Sequence, residues 1–137
     1  MKLPEQPAYR IFGGDYRGAC PTEDMEQITF FNMIRRSFPE THGLLAIHPR
    51  NEGLKTAGQF AAVQRHRAEG MTAGAADIVI PGAPAFVCEL KRRDPRKSQW
   101  QDGQEAYLTA SANMGAFACL AFGWEAAWEA FEAWIAI

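Results

Sequence analysis

Residues 70–91 read Gly-Met-Thr-Ala-Gly-Ala-Ala-Asp-Ile-Val-Ile-Pro-Gly-Ala-Pro-Ala-Phe-Val-Cys-Glu-Leu-Lys, and this stretch predicts the centre of the fold. Its two short apolar runs, residues 78–80 and 86–90, are rich in the β-branched and aromatic side chains that strands prefer. Residues 81–85, between them, contain two prolines and a glycine, which are typical of a turn. The sequence therefore predicts a β-hairpin with a loop over residues 81–85.

The register of this hairpin brings charged side chains to one face. If residues 81–85 form the loop, Asp77 lies opposite Glu89. Side chains alternate along a strand, so Glu89 and Lys91 share a face and Leu90 points the other way. Two opposed carboxylates repel, and a site that keeps them together usually binds a cation or shares a proton. With an ammonium group beside them, they suit Mg²⁺ and a phosphate ester.

These residues resemble a known nuclease signature. Asp77 followed by Glu89-Leu90-Lys91 is similar to the PD-(D/E)xK motif. The run from Gly70 through Gly74 to Asp77 resembles the G-x-x-x-G-x-x-D pattern of the VRR-NUC family, the virus-type replication-repair nucleases. Two further groups of residues match family helices: Glu23 with Gln27, and Gln104 with Tyr107, Leu108 and Gly115. The resemblance spans roughly residues 22–122, and it departs from the family at Ala76, where a proline is usual, and in a longer Asp-to-Glu interval.

The resemblance implies a fold and a set of site residues. The fold is α/β: a restriction-endonuclease-like core with a mixed central sheet flanked by helices, an N-terminal helix and a C-terminal amphipathic helix. Asp77, Glu89 and the Cys88 backbone carbonyl would hold Mg²⁺ or Mn²⁺. Glu23 would complete the shell, directly or through water, unless it only complements the helix dipole; Glu26 is the alternative acid. Lys91 would orient the attacking water or offset charge on the phosphate, and Gln104 would lie near it.

The resemblance also implies partners. Stand-alone members of the family resemble Holliday-junction resolvases, which act as homodimers on branched DNA, so a structure-specific endonuclease of DNA repair, of phage or bacterial type, is the predicted function. The alternative is a catalytically inactive DNA-binding or interaction module on the same fold. A structural oligomer organised by the Trp-rich C-terminal helix is a third reading. The number of metal ions and the preferred DNA structure stay open.

Composition fits this function class. A chain of 137 residues suits a single domain, which we divide into an N-terminal arm (1–20), a core (22–122) and a C-terminal helix (123–137). The three cysteines include no C-x-x-C pair, which argues against a disulfide framework or a zinc site. No apolar run approaches a membrane span, and residues 1–5 do not resemble a signal peptide. We therefore expect no membrane contact and a cytoplasmic protein of a bacterial or phage-infected cell.

Charge is distributed unevenly along the chain. The net charge is −2, but all 14 Lys and Arg residues lie in residues 1–97. A cluster directly after the hairpin, Arg92, Arg93, Arg96 and Lys97, would place positive potential beside the carboxylates, where a phosphate backbone needs it. Arg50 and Asn51, in a segment that resembles the His-x-x-Asn segment of phage family members, are further candidates for contact with DNA. His48 reads more simply as a loop histidine.

Periodicity and capping residues predict the remaining elements. A helix should begin after Thr22 and end before Pro39, with Met25, Ile28, Phe31 and Ile34 as its apolar face. We predict a strand over residues 44–47, a helix over 57–69, a helix over 99–114 with a Ser98-x-x-Gln101 capping box, and a parallel strand over 116–122. In the last helix, Trp124, Trp128, Phe131 and Ile135 share one face, and Trp134 lies off it.

Overall fold

Two fully buried strands form the centre of a four-stranded sheet. The computed structural model describes residues 1–50 and 60–137. Strands β3 (Phe86–Lys91) and β4 (Phe117–Phe122) pair in parallel, and every residue of both is buried. Strand β2 (Ile78–Ile80) pairs antiparallel with β3, and β1 (Arg10–Phe12) pairs parallel with β4, which gives the order β1-β4-β3-β2. Because both faces of these strands are buried, their sequences are mostly apolar instead of alternating between apolar and polar residues.

The predicted hairpin register is confirmed. Ile80 pairs with Phe86, Val79 with Val87, and Ile78 with Cys88. Residues 81–85 therefore form the connection, as their prolines and glycine indicated. The predicted parallel pairing of the strand after the fourth helix is also confirmed, since β4 lies beside β3.

Helices cover both faces of this sheet. The described residues form α1 (Glu23–Ser37), α2 (His42–Leu45), α3 (Phe60–Ala68), α4 (Gln104–Asn113) and α5 (Trp124–Ile135). The Thr22 side chain caps α1 by accepting a hydrogen bond from Met25 N, as its position predicted. A 3₁₀ turn, Pro95–Lys97, and α4 connect β3 to β4.

Each face of the sheet has its own apolar layer. On one face, α1 and α5 pack on the strands through a layer that includes Phe30, Ile34 and Phe131. On the other face, Leu108 of α4 packs with Tyr9 and with the alternate residues of β3 and β4. Because Glu89 and Lys91 alternate with residues of the first layer, they point toward the α4 side.

The predicted strand over residues 44–47 is wrong, because residues 42–45 form α2. Only Ile47 pairs as a strand would, through two 2.9 Å backbone hydrogen bonds with Val79. Gly43 explains the helix: its N–H donates to Phe38 O at 2.8 Å, and an added Cβ would lie 2.5 Å from Ile34 O. The chain turns tightly against the end of α1, so the apolar side chains of Leu44 and Leu45 cannot continue the sheet.

The fourth helix begins later than predicted. It starts at Gln104 rather than at residue 99, so Gln104 is its first residue and not part of its second turn. The predicted capping box does not form, because Ser98 Oγ accepts a hydrogen bond from Arg92 N at 3.0 Å. Gly103 precedes the helix with a φ of +83°, a conformation that suits glycine.

The terminal segments also differ from expectation. The N-terminal arm contributes β1 to the sheet, and Tyr9 is buried with its hydroxyl 2.6 Å from Glu105 Oε2. Trp134 was predicted to lie off the apolar face but is buried, and its Nε1 donates to Pro84 O at 2.8 Å. Ile135, predicted on that face, is 43% exposed. Neither position could be assigned without knowing that the hairpin loop approaches the end of α5.

The apolar face of α1 is rotated from the predicted one. Met25 and Ile28 are each 51% exposed, whereas Glu26, Phe30 and Ile34 are buried. Helix α3 lies within the predicted range 57–69, but residues 57–59 and Asn51 are outside the described residues. Within the part of the chain that the structure describes, no helix is long and apolar enough to cross a membrane.

Candidate metal centre

The hairpin brings Asp77 and Glu89 together, as its register predicted. Asp77 directly precedes β2, and its Oδ2 accepts a hydrogen bond from Leu90 N at 2.9 Å. The pairing of β2 with β3 ends at Ile78, opposite Cys88. Beyond that point, the Asp77 side chain accepts the hydrogen bond that Leu90 N would otherwise donate to a neighbouring strand. His48 Nδ1 lies 2.8 Å from Asp77 O and holds the same residue from its backbone side.

Glu89 has an unusual environment. Its side chain is fully buried, and neither of its carboxylate oxygens has a hydrogen-bond partner within residues 1–50 and 60–137. Lys91 Nζ is 3.7 Å from Glu89 Oε1, too far for a good hydrogen bond but close enough for attraction. A buried carboxylate without N–H or hydroxyl donors is costly, so this position favours either a bound cation or a proton shared with Asp77.

Helix α1 contributes the third carboxylate. Glu23, its first residue, has Oε1 3.7 Å from Lys91 Nζ. One oxygen each from Glu23, Asp77 and Glu89 lies within 4.8 Å of the others. The alternative acid, Glu26, points elsewhere, and its carboxylate accepts a hydrogen bond from Trp124 N at the start of α5. The structure thus brings Glu23, and not Glu26, to the cluster.

Arg92 holds the start of α1 in place. Its Nε donates to Pro21 O at 2.9 Å, and one terminal nitrogen donates to Cys20 O at 2.8 Å. Since Arg92 follows Lys91 in sequence, the end of β3 fixes the position of Glu23 through the backbone that precedes α1. Sequence reasoning missed this role, because an arginine in a basic run carries no local signal that its guanidinium binds protein carbonyls.

Gln104 links α4 to Lys91. Its Oε1 accepts hydrogen bonds from Lys91 Nζ and from Gln101 N, both at 2.8 Å. The start of α4 lies against the segment before β2 at Gly74, where an added Cβ would be 2.1 Å from Gly103 C. Gly74 therefore allows the backbone contact that brings Gln104 and the strand of Asp77 to one site.

Burial dominates the electrostatics of the cluster. Desolvation raises the pKa of Glu89 well above its ordinary value, and the nearby Asp77 charge raises it further. Desolvation likewise raises the pKa values of Asp77 and Glu23. For Asp77, a hydrogen bond shared with the Glu89 carboxyl group and then the Leu90 N–H oppose the shift, and for Glu23 the Lys91 charge opposes it. Three ionised carboxylates would outnumber the one ammonium group, so without a cation the cluster favours bound protons.

These donor groups fit a hard divalent cation. Mg²⁺ and Mn²⁺ prefer carboxylate oxygens, and Glu23, Asp77 and Glu89 each offer one. The Glu89 oxygens accept no hydrogen bond from an N–H or hydroxyl group within the described residues. Cys88 directly precedes Glu89 in β3, and the role of its carbonyl as a ligand stays a prediction. Among the described residues, the cluster consists of carboxylate side chains alone, the ligand type that hard cations prefer.

The residues predicted to contact DNA are only partly free to do so. The Arg92 guanidinium already donates hydrogen bonds to the backbone before α1. Arg93 Cζ lies 4.2 Å from the ring centroid of Tyr16, and Arg96 forms a 2.8 Å ion pair with Asp94. Arg50, Arg96 and Lys97 are exposed, and Asn51 lies outside the described residues. Contact of these residues with DNA stays a prediction.

Asp94 is a structural residue that the sequence did not single out. It is fully buried, and its carboxylate accepts hydrogen bonds from Gly18 N at 2.9 Å and from the backbone and side chain of Arg96. The hydrogen bonds from Arg96 and Gly18 lower the pKa of Asp94. Asp94 thus ties the N-terminal segment to the connection after β3.

Comparisons with known proteins support the fold. No protein-family model matches the chain, and no curated protein does. A solved structure described as "VRR_NUC domain protein" matches with a TM-score of 0.66 and 21% sequence identity, over 86% of this chain and 91% of that chain. The architecture is thus mixed α/β, with a four-stranded mixed sheet flanked by helices, consistent with a restriction-endonuclease-like fold.

Proposed function

We propose that this chain is a metal-dependent nuclease of the VRR-NUC type that hydrolyses DNA phosphodiester bonds. The observation that carries the proposal is the Glu89 carboxylate, buried without hydrogen-bond donors among the described residues and within 4.8 Å of oxygens from Asp77 and Glu23. Such a cluster is unfavourable in its ionised form unless a cation binds it. Its position beside a buried lysine matches the chemistry of phosphodiester cleavage.

Asp77, Glu89 and Glu23, with the Cys88 carbonyl, would hold Mg²⁺ or Mn²⁺. The bound ion would polarise the phosphate and lower the pKa of a water molecule, which is what hydrolysis at neutral pH needs. The protein's own part is to hold its carboxylates in place before the ion arrives. Leu90 N does this for Asp77, and Arg92 does it for Glu23 through the start of α1.

Lys91 would act on the reacting phosphate. Its Nζ is fixed by Gln104 Oε1 at 2.8 Å and lies 3.7 Å from both Glu23 and Glu89, so it points into the cluster. From there an ammonium group can orient the attacking water or offset the negative charge that grows on the phosphate oxygens. Gln104 is then a positioning residue that acts through Lys91. No covalent intermediate with the protein is required.

The family resemblance also suggests a preferred DNA structure. We propose branched DNA, including four-way junctions, cleaved by a homodimer whose two sites would suit symmetric cuts. The support is the family resemblance of the motifs, together with the fold likeness to a solved VRR_NUC domain protein. Exposed Arg50, Arg96 and Lys97 would contact the phosphate backbone.

The test is cleavage of labelled four-way junction, flap, duplex and single-stranded DNA with Mg²⁺ or Mn²⁺. Asp77→Ala and Lys91→Ala should each lower the rate about 100-fold or more, because each removes a group that acts on the metal or the phosphate. Glu132→Gln, an exposed acid on α5, is the matched control and should cleave normally. A protein that binds DNA but cuts none of these substrates with either metal would instead be an inactive DNA-binding module.

A further inference from the structure

A cavity of about 230 Å³ lies beside the metal centre. It is lined by Gln27, Ile28, Phe31, Asn32, Arg35 and His48. Gln27 is one helical turn beyond Glu23 on α1, a rise of about 6 Å. His48 lies on the other side, and its Nδ1 is 2.8 Å from the backbone oxygen of Asp77. The cavity is therefore next to two residues of the carboxylate cluster.

A flat guanidinium group forms one wall of this cavity. Arg35 Cζ lies 5.1 Å from the ring centroid of Phe31, within cation–π range, so the ring helps to hold the guanidinium at the cavity. Phe31 itself is only 7% exposed, whereas Arg35 is exposed. Because Arg35 is exposed and lines the cavity, its guanidinium can contact a planar group there, and bases stack on arginine planes as they do on aromatic rings.

The remaining polar groups suit a heteroaromatic ring better than a phosphate. The Gln27 and Asn32 carboxamides each offer a donor and an acceptor, and a base edge presents both. A phosphate only accepts hydrogen bonds, so it would leave the amide oxygens unused. Ile28 and Phe31 add apolar wall, which a phosphate would not favour.

We propose that this cavity binds an unstacked nucleobase of the DNA strand that passes the metal centre. The inference rests on the proposed nuclease function and names its substrate class: DNA with unpaired nucleotides beside the cut. A base within a continuous duplex is stacked and paired, and extruding it costs a few kcal/mol. Single-stranded, flap and junction substrates with open bases at the cut avoid that cost and are bound in preference to closed duplex.

The test measures binding without cleavage, in EDTA, by fluorescence anisotropy. One strand is a short oligothymidylate, and the other has the same phosphates with abasic residues throughout. Arg35→Lys keeps the charge but removes the planar surface. Arg36→Lys, the next residue on α1 and absent from the cavity, is the matched control. Far-ultraviolet circular dichroism checks that both variants fold.

We expect the wild type and Arg36→Lys to prefer the base-containing strand, and Arg35→Lys to lose about 10-fold of that preference, as stacking energies of single bases imply. The inference is overturned if Arg35→Lys prefers the base-containing strand as strongly as Arg36→Lys does. It is also overturned if the wild type binds neither strand, or binds both equally. Because metal is absent, base-dependent binding by a protein that never cleaves would refute the nuclease proposal alone. Cleavage without base-dependent binding would refute the cavity proposal alone.

Discussion

Replacing Glu89 with glutamine should stabilise the metal-free protein. At an effective dielectric of about 20, Asp77 and Glu23, each within 4.8 Å, would each repel an ionised Glu89 by at least about 3.5 kcal/mol. Lys91, at 3.7 Å, would attract it by about 4.5 kcal/mol. The repulsions exceed the attraction by about 2.4 kcal/mol, and burial of the charge adds a further cost. Partial protonation relieves some of this, so we expect a gain of about 1–3 kcal/mol in the free energy of unfolding.

The assay is urea denaturation at neutral pH, first in EDTA and then with Mg²⁺ or Mn²⁺. The wild type should gain about 2.7 kcal/mol when the metal concentration is 100 times its dissociation constant, and Glu89→Gln should gain little. Glu132→Gln, which removes an exposed acid from α5, should change the free energy of unfolding by less than about 0.5 kcal/mol in either condition.

Two results would refute this reasoning. If Glu89→Gln destabilises the protein in EDTA, the carboxylate makes a favourable interaction that the cluster geometry does not contain. If metal stabilises Glu89→Gln as much as the wild type, the ion binds elsewhere. If Glu89→Gln is instead more stable in EDTA and no longer responds to metal, the Glu89 carboxylate destabilises the metal-free fold and is needed to bind the ion.

The same cluster and its supports lead to three further expectations. The raised pKa of Glu89 means that stability is lost as pH rises through its folded value. The metal-free wild type should therefore become more stable as pH falls from above that folded value toward the ordinary value of 4.5, and Glu89→Gln should flatten this slope in pH-dependent urea titrations. Gly74→Ala should lower the free energy of unfolding by at least about 2 kcal/mol more than Gly70→Ala, because both glycines have positive φ but only Gly74 meets backbone at 2.1 Å; equal losses in thermal melts would contradict the close contact. Arg92→Gln should weaken metal binding measured by calorimetry, by releasing the backbone that positions Glu23, and unchanged affinity would show that α1 is held without it.

The hairpin could be predicted from sequence because its determinants are local. Alternation of side chains and a proline-rich loop leave one register that buries Ile78 and Ile80, and that register fixes Asp77 opposite Glu89. The order of elements after it followed from the same kind of pattern. For these parts, local propensity and global packing favour the same structure.

The parts that could not be predicted depend on distant contacts. Residues 42–45 have no helical period, and they become a helix because Gly43 fits against the end of α1. Likewise β1 is three residues long and exists because the edge of β4 offers it a partner. The inward position of Trp134 depends on Pro84, 50 residues earlier in the chain. In each case the deciding contact lies outside the segment itself, so the periodicity within the segment carries no information about it.

The candidate centre shows why its supporting residues matter as much as its ligands. The three carboxylates come from different parts of the chain, namely the start of α1, the residue before β2, and β3, and they repel one another. The scaffold holds them together through hydrogen bonds: Leu90 N donates to Asp77, Arg92 to the carbonyls before Glu23, and Lys91 to Gln104. Loss of one such contact therefore lets repulsion move one ligand outward. Metal affinity should fall while overall stability holds or rises, which is the opposite of what loss of an ordinary core contact produces.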